Sequence, residues 1–346
     1  MRVLIWVAAA LLLVTASPVP AENWADNHDS ITMQPEYQRS KAICRSLKRM
    51  PPLPRATAPT DATPSHKNRS SEALYYGIGV PPDPSRALQH ALREGAAPGD
   101  GATFSGDVML MTIYANGVGA PRDLDRAIAI ACNLDGAPAE MDGRVNHLAK
   151  LRDQRWAGHD FSFCDDITSG YAQGLCAAHD AAMEDAKREQ RLSAVMAGWS
   201  DAEKRAFQPL ERAEKGYAEA RAGNEVDQSG TARAAMAIDE QQDQEKDFLD
   251  LLQSLETGTV PATTGKQVDA ADAELNAAYQ RIQHVNNTAS WGTVTKDGIR
   301  MTQRAWLRYR DAWIAFARVR YPRVAPESLV ATLTEKRTAL LQGSLQ

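Results

Sequence analysis

The residues best suited to chemistry lie near the middle of the chain. Asp165 and Asp166 stand side by side, Thr168 and Ser169 follow at once, and His147, His159 and His179 lie around them. Paired carboxylates divide acid and base work when their surroundings split their pKa values, yet neighbours in sequence seldom face one substrate. Asp165-Asp166-Ile167-Thr168-Ser169-Gly170 reads better as a capped turn, because short polar side chains satisfy the free amides at a helix start. His159, Cys164, Asp165 and Cys176 would be the donors of a metal site, but CxxC and HxxxH spacings are lacking. Neither a Gly-x-Ser-x-Gly elbow nor a His-Glu-x-x-His pair occurs. Gly77-Ile78-Gly79 imitates a phosphate loop, although no strand precedes it and no Lys-Ser/Thr follows. The expectation is a non-enzyme with no catalytic residue, no metal and no cofactor.

Four cysteines remain: Cys44, Cys132, Cys164 and Cys176. An even count suits disulfides in an oxidising compartment and allows three connectivities. Closeness in sequence favours Cys164 with Cys176, which leaves Cys44 with Cys132; the sequence keeps the other pairings open. The N-terminus agrees with export. Arg2, an apolar run from Val3 to Val14 and Val19-Pro20-Ala21 read as a secretory signal over residues 1–21, with a cut after Ala16 as second choice. The run is short for a span of about 20 residues, and no Cys at either cut offers a lipid anchor. The expected location is periplasmic or secreted, with a soluble chain once the signal is removed.

The 346 residues suggest about two domains. With 43% apolar and only 6% aromatic residues, and Ala, Glu, Gln, Arg and Leu recurring, the composition favours helix over sheet. A net charge of −5 argues against a dedicated nucleic-acid binder. Residues 22–70 read as a short helix carrying Cys44 followed by a Pro-rich linker, Pro51 to His66. A period of 40 residues follows. Leu74-Tyr75-Tyr76-Gly77-Ile78-Gly79 with Asp83, Arg86 and Ala87 is answered by Ile113-Tyr114-Ala115-Asn116-Gly117-Val118-Gly119 with Asp123, Arg126 and Ala127. A helix, a reversal needing positive φ, and an Asp-capped second helix make a helical hairpin. These positions resemble the Sel-one-like repeat, a relative of the tetratricopeptide repeats, which implies a short solenoid over residues 71–160.

The second half carries a fainter duplication at an ungapped offset of 92. Trp199, Lys204, Arg212, Ala213 and Tyr217 align with Trp291, Lys296, Arg304, Ala305 and Tyr309. Each copy reads as a first helix, a turn near the Trp and a second helix, giving hairpins over residues 161–265, with the Cys pair, and 266–346. In the last long helix Ile299, Ala305, Trp306, Tyr309, Trp313 and Phe316 recur at helical spacing, so one face must be core.

Several words of this half resemble the LprI-type lysozyme inhibitors: the pair Cys164 and Cys176; Asp272-Ala273-Glu274-Leu275-Asn276 with Tyr279; Gln303-Arg304-Ala305-Trp306-x-x-Tyr309-Arg310-Asp311-Ala312; and Leu333-Thr334-x-x-Arg337. The resemblance implies an all-helical, disulfide-containing domain and a non-enzymatic inhibitor of lysozyme-type muramidases. Trp313 and Ile314 stand where the family often has a Cys, so packing must replace that lock. The signature reads as mainly structural, with Trp306 and Tyr309 in the core. Charge is uneven: Asp165 to Glu256 holds roughly 20 acidic and 10 basic residues, whereas Lys266 to Arg337 holds roughly 7 and 12. A basic partner such as lysozyme would therefore meet the acidic copy, through Glu211, Glu214 and Glu219. The arginines of the signature helix could meet an anionic envelope surface instead. The alternative function is a repeat scaffold or adaptor for protein partners in the cell envelope.

Overall fold

The structure, a computed structural model, describes residues 23–53, 70–94 and 103–343. The expected signal segment and most of the Pro-rich linker lie outside them. Helix-favouring composition becomes twelve α-helices among the described residues, with no strand, as the all-α expectation required: α1 (Gln38–Leu47), α2 (Ser71–Tyr76), α3 (Pro84–Glu94), α4 (Gly106–Asn116), α5 (Leu124–Ala131), α6 (Pro138–Asp153), α7 (Gly170–Met196), α8 (Asp201–Asn224), α9 (Arg233–Thr257), α10 (Gly265–His284), α11 (Lys296–Arg320) and α12 (Pro326–Gly343).

The 40-residue period becomes one geometry built twice. Gly77 and Gly117 end α2 and α4 in the left-handed region, where a Cβ would be strained. Asp83 and Asp123 then accept from the amides of Arg86 and Arg126 at 3.1 and 2.8 Å, capping α3 and α5. Their own amides return to the carbonyls of Leu74 and Tyr114 at 2.7 and 3.0 Å, closing equivalent turns. The two units meet at Gly119, where a Cβ would stand 2.4 Å from the Pro84 carbonyl oxygen.

Two units alone would leave apolar faces open, so other segments cover them. α4 is apolar nearly all round and is buried accordingly, in a core with Val145 and Leu148 of α6. Trp24 closes one end, donating from its ring to Ser40 at 2.8 Å and from its amide to the Cys132 carbonyl at 2.7 Å. Both expected disulfides form, Cys44–Cys132 and Cys164–Cys176. The second bridge belongs to this first core: Phe161, Phe163 and Cys176 are buried in it, ahead of and within the start of α7.

The second core is built by α7 to α12. α8 and α11 run antiparallel, with Thr302 donating to the Ala220 carbonyl at 2.9 Å and the rings of Phe207 and Phe316 5.3 Å apart. α7 and α9 run parallel: Gly170 lies against Thr231 and Ala232, Gly174 against Ala234, and Arg188 reaches Gln242 and Glu245. α10 and α12 start side by side in the same way, Thr263 donating to Ser328 at 3.0 Å. Within each copy the first helix therefore pairs with the third, while the middle helices of the two copies pair with each other. The 92-residue offset survives in the burial pattern, since Phe207, Leu210, Glu214, Tyr217 and Arg221 are buried and so are Ile299, Thr302, Trp306, Tyr309 and Trp313.

Candidate interaction surface

The residues with catalytic character are all engaged locally. Asp165 accepts from the Ser162 amide at 2.8 Å and completes a capping box over the short turn Phe163–Asp166. Asp166 meets His147 at 3.0 Å; burial raises its pKa and His147 opposes the rise. The amides of Thr168 and Ser169 donate to Glu140 at 3.1 and 2.6 Å, and the Ser169 side chain caps α7. His159 lies against the Asn116 carbonyl at 2.6 Å. His179 is buried, stacked on Phe104 at 3.9 Å and 2.6 Å from Glu72. The three histidines are thus held at separate places. Among the described residues no group of three or more His, Cys, Asp or Glu could hold a metal ion.

Four signature residues, Gln303, Trp306, Tyr309 and Arg337, converge on the seam between the two copies. Arg337 is fully buried and grips Glu225 with two bonds of 2.8 and 2.6 Å, while its Nε donates to Gln303 at 2.9 Å. The bidentate geometry suits a charge pair away from water. Glu225 comes from the end of α8, so the second copy's arginine is locked to the first copy. Tyr309 stacks on its counterpart Tyr217 at 5.2 Å, and burial raises the pKa of both phenols. Trp306, Tyr309 and Arg337 line a cavity of only about 20 Å³ here, too small for a ligand. Arg221 repeats the theme from α8, bonding Gln244 at 2.9 Å and pairing with Glu240. Glu225, Arg221 and Gln244 were not expected from sequence. Nothing in their residue types signals burial; only their place on the Tyr217 face of α8 and the facing side of α9 does.

The remaining signature positions are less enclosed. Leu275 is buried, Asp272 and Tyr279 are half-buried, and Asn276 is exposed. Arg310 lies over the Trp306 ring at 5.3 Å and pairs with Asp311 at 3.0 Å.

Of the acidic residues expected on the partner face, Glu211 and Glu219 are exposed and Glu214 is not. Glu214 is 7% exposed, and its Oε1 has no hydrogen-bond partner. It cannot contribute to a docking surface, because its helical register turns it to the face that Trp306 occupies in α11. Burial, aided by nearby Glu245, pushes its pKa up to about 8, with Arg188 opposing. Exposed acid is instead carried by Asp180 and Glu184 of α7 and by Asp239 and Asp243 of α9.

Residues 253–341 match the family described as Lysozyme inhibitor LprI. The matched stretch runs from the end of α9 through α12 and contains the Gln303, Trp306, Tyr309 and Arg337 network. Comparison with curated proteins and with solved structures gives no significant match. The fold thus contains an LprI-like segment towards its C-terminal end, in which Gln303 and Arg337 belong to a buried polar network with Glu225. The two disulfides suit an oxidising compartment, and no helix among the described residues is long and apolar enough to cross a membrane.

Proposed function

We propose that the chain is an exported, non-enzymatic binding protein that inhibits lysozyme-type muramidases by covering their cleft. The observation that carries this reading is the LprI match over residues 253–341, with Gln303 and Arg337 of its signature engaged in one buried network. The N-terminal signal reading and the disulfides support a periplasmic or secreted location. Lysozyme is basic, so the docking face is assigned to the acidic copy, through Glu211 and Glu219 on α8 and the exposed acids of α7 and α9.

The test is a titration of oxidised chain lacking residues 1–21 into a lysozyme turbidity assay at low and high salt. Inhibition saturating near one equivalent and weakening with salt supports the reading. Glu211→Lys with Glu219→Lys, and separately Asp239→Lys with Asp243→Lys, locate the face. No inhibition at large excess, across several lysozyme types, would reject it.

The equivalence of the α2–α3 and α4–α5 units favours a second reading, in which a Sel-one-like repeat unit serves as scaffold or adaptor for a protein partner. Charge reversals on α7 to α9 that leave partner binding intact would favour this second reading.

A further inference from the structure

The outward face of α11 carries a pattern that neither the buried network nor the acidic copy uses. Arg304, Leu307, Arg308 and Arg318 stand on the side opposite the buried Trp306, Tyr309 and Trp313, with the exposed Asp311, paired to Arg310, between Arg308 and Arg318, and Met301 and Val319 lie at its edge. Arg304, Arg308 and Arg318 enter no ion pair or hydrogen bond among the described residues, while Arg300 and Arg310 on the same helix are paired with Asp297 and Asp311. Met301, Leu307 and Val319 are 53, 38 and 48% exposed; among the described residues, three of the seven exposed large apolar side chains therefore belong to one helix.

Unpaired guanidiniums call for anions, and Arg matches phosphate oxygens bidentately. Apolar side chains left in water between them call for something besides anions. From Met301 to Val319 the row extends about 27 Å along a single helix, so a flat surface meets all of it at once. An interface with anionic headgroups above and acyl chains below supplies both chemistries in that geometry.

We propose that this face of α11 docks on an anionic phospholipid surface, with Arg304, Arg308 and Arg318 on headgroup phosphates and Met301, Leu307 and Val319 entering the acyl boundary. The charge of the acidic copy orients the molecule, turning α7 and α9 away from the lipid. A protein bound through that copy is then held off the surface.

The experiment is co-sedimentation of oxidised chain with phosphatidylglycerol–phosphatidylcholine vesicles and with pure phosphatidylcholine vesicles, at low and high salt. Residues 1–21 are omitted because their apolar run would itself insert. Binding is expected on the anionic vesicles alone and should weaken with salt. The triple variant Arg304→Glu, Arg308→Glu, Arg318→Glu should lose at least about tenfold in partitioning. Met301→Ser with Leu307→Ser should also weaken it while keeping the salt dependence. All five sites are exposed, so an unchanged thermal melt by circular dichroism accompanies each variant. Equal sedimentation with neutral vesicles, or none with anionic ones, would overturn the proposal. So would full binding by the variant Met301→Ser with Leu307→Ser, since that would make the face a polyanion site.

Discussion

Glu214 occupies the place in α8 that Trp306 holds in α11, and this substitution of an acid for an aromatic has a measurable consequence. With its pKa at about 8, the side chain keeps its proton at neutral pH, against an ordinary value of 4.5. A group whose folded pKa is raised binds its proton more tightly in the native state. Its contribution to stability is fully present below the unfolded value and is lost as pH rises through the folded one. The urea midpoint should therefore fall between about pH 5 and about pH 9. Glu214→Gln should flatten that fall and, near pH 9, leave the variant more stable than the parent by on the order of 1–3 kcal/mol. Parallel curves for the two proteins would place the titrating group elsewhere. In sequence Glu214 reads as surface, because a Glu among Lys and Ala on a helix is usually solvated. The signal that could have corrected this was already in the 92-residue register, which sets Glu214 opposite a core tryptophan.

At the scale of elements, the parts legible in sequence were those set by local chemistry. The Gly-x-Gly reversals and Asp caps fixed α2 to α5, and apolar spacing fixed α11. The order in which helices pack was not legible, because pairing α7 with α9 rather than α8 depends on close approach at Gly170 and Gly174. No composition rule ranks such tertiary contacts. The same applies to the Arg337–Glu225 lock, whose partners are 112 residues apart. The two repeat turns allow a direct test of local against tertiary roles. Gly79 and Gly119 are equivalent in sequence and both have positive φ, but a Cβ on Gly79 meets nothing within 4 Å, whereas one on Gly119 strikes the Pro84 backbone. Gly79→Ala should cost about 1 kcal/mol, the conformational penalty alone. Gly119→Ala should cost more, about 2–4 kcal/mol, because the two units must separate to admit the methyl group. Thermal or urea melts of the pair would decide it, and equal losses would mean that the turn, rather than the contact between units, sets the requirement.

The whole molecule is organised around two cores that α7 links. Its first turns bury Ala172, Cys176 and His179 toward the repeat units, and its last turns set Leu192, Val195 and Met196 against the second core. Both disulfides act on the first core. Cys44–Cys132 joins residues 88 apart, and Cys164–Cys176 joins residues 12 apart. By chain entropy they stabilise by roughly 4.5 and 3 kcal/mol respectively, amounts comparable to the net stability of a domain. The second core has no such bond and relies on packing of Trp306, Tyr309, Trp313, Phe207 and Phe248, with the buried Arg337–Glu225 pair. Reduction should therefore act unequally. Hydrogen exchange of the reduced chain should show lost protection in α1 and in α4 to α6, while α8 and α11 keep theirs. The boundary should fall within α7, between Cys176 and Leu192, where one helix passes from a core fastened by disulfides to one held by packing alone. Loss of protection in α8 and α11 at the same rate as in α4 would show instead that α7 couples the cores into one cooperative unit. In that case the repeat units would be part of what stabilises the LprI-like domain, and charge-reversal variants would be the sound way to separate their functions, because truncation would unfold both.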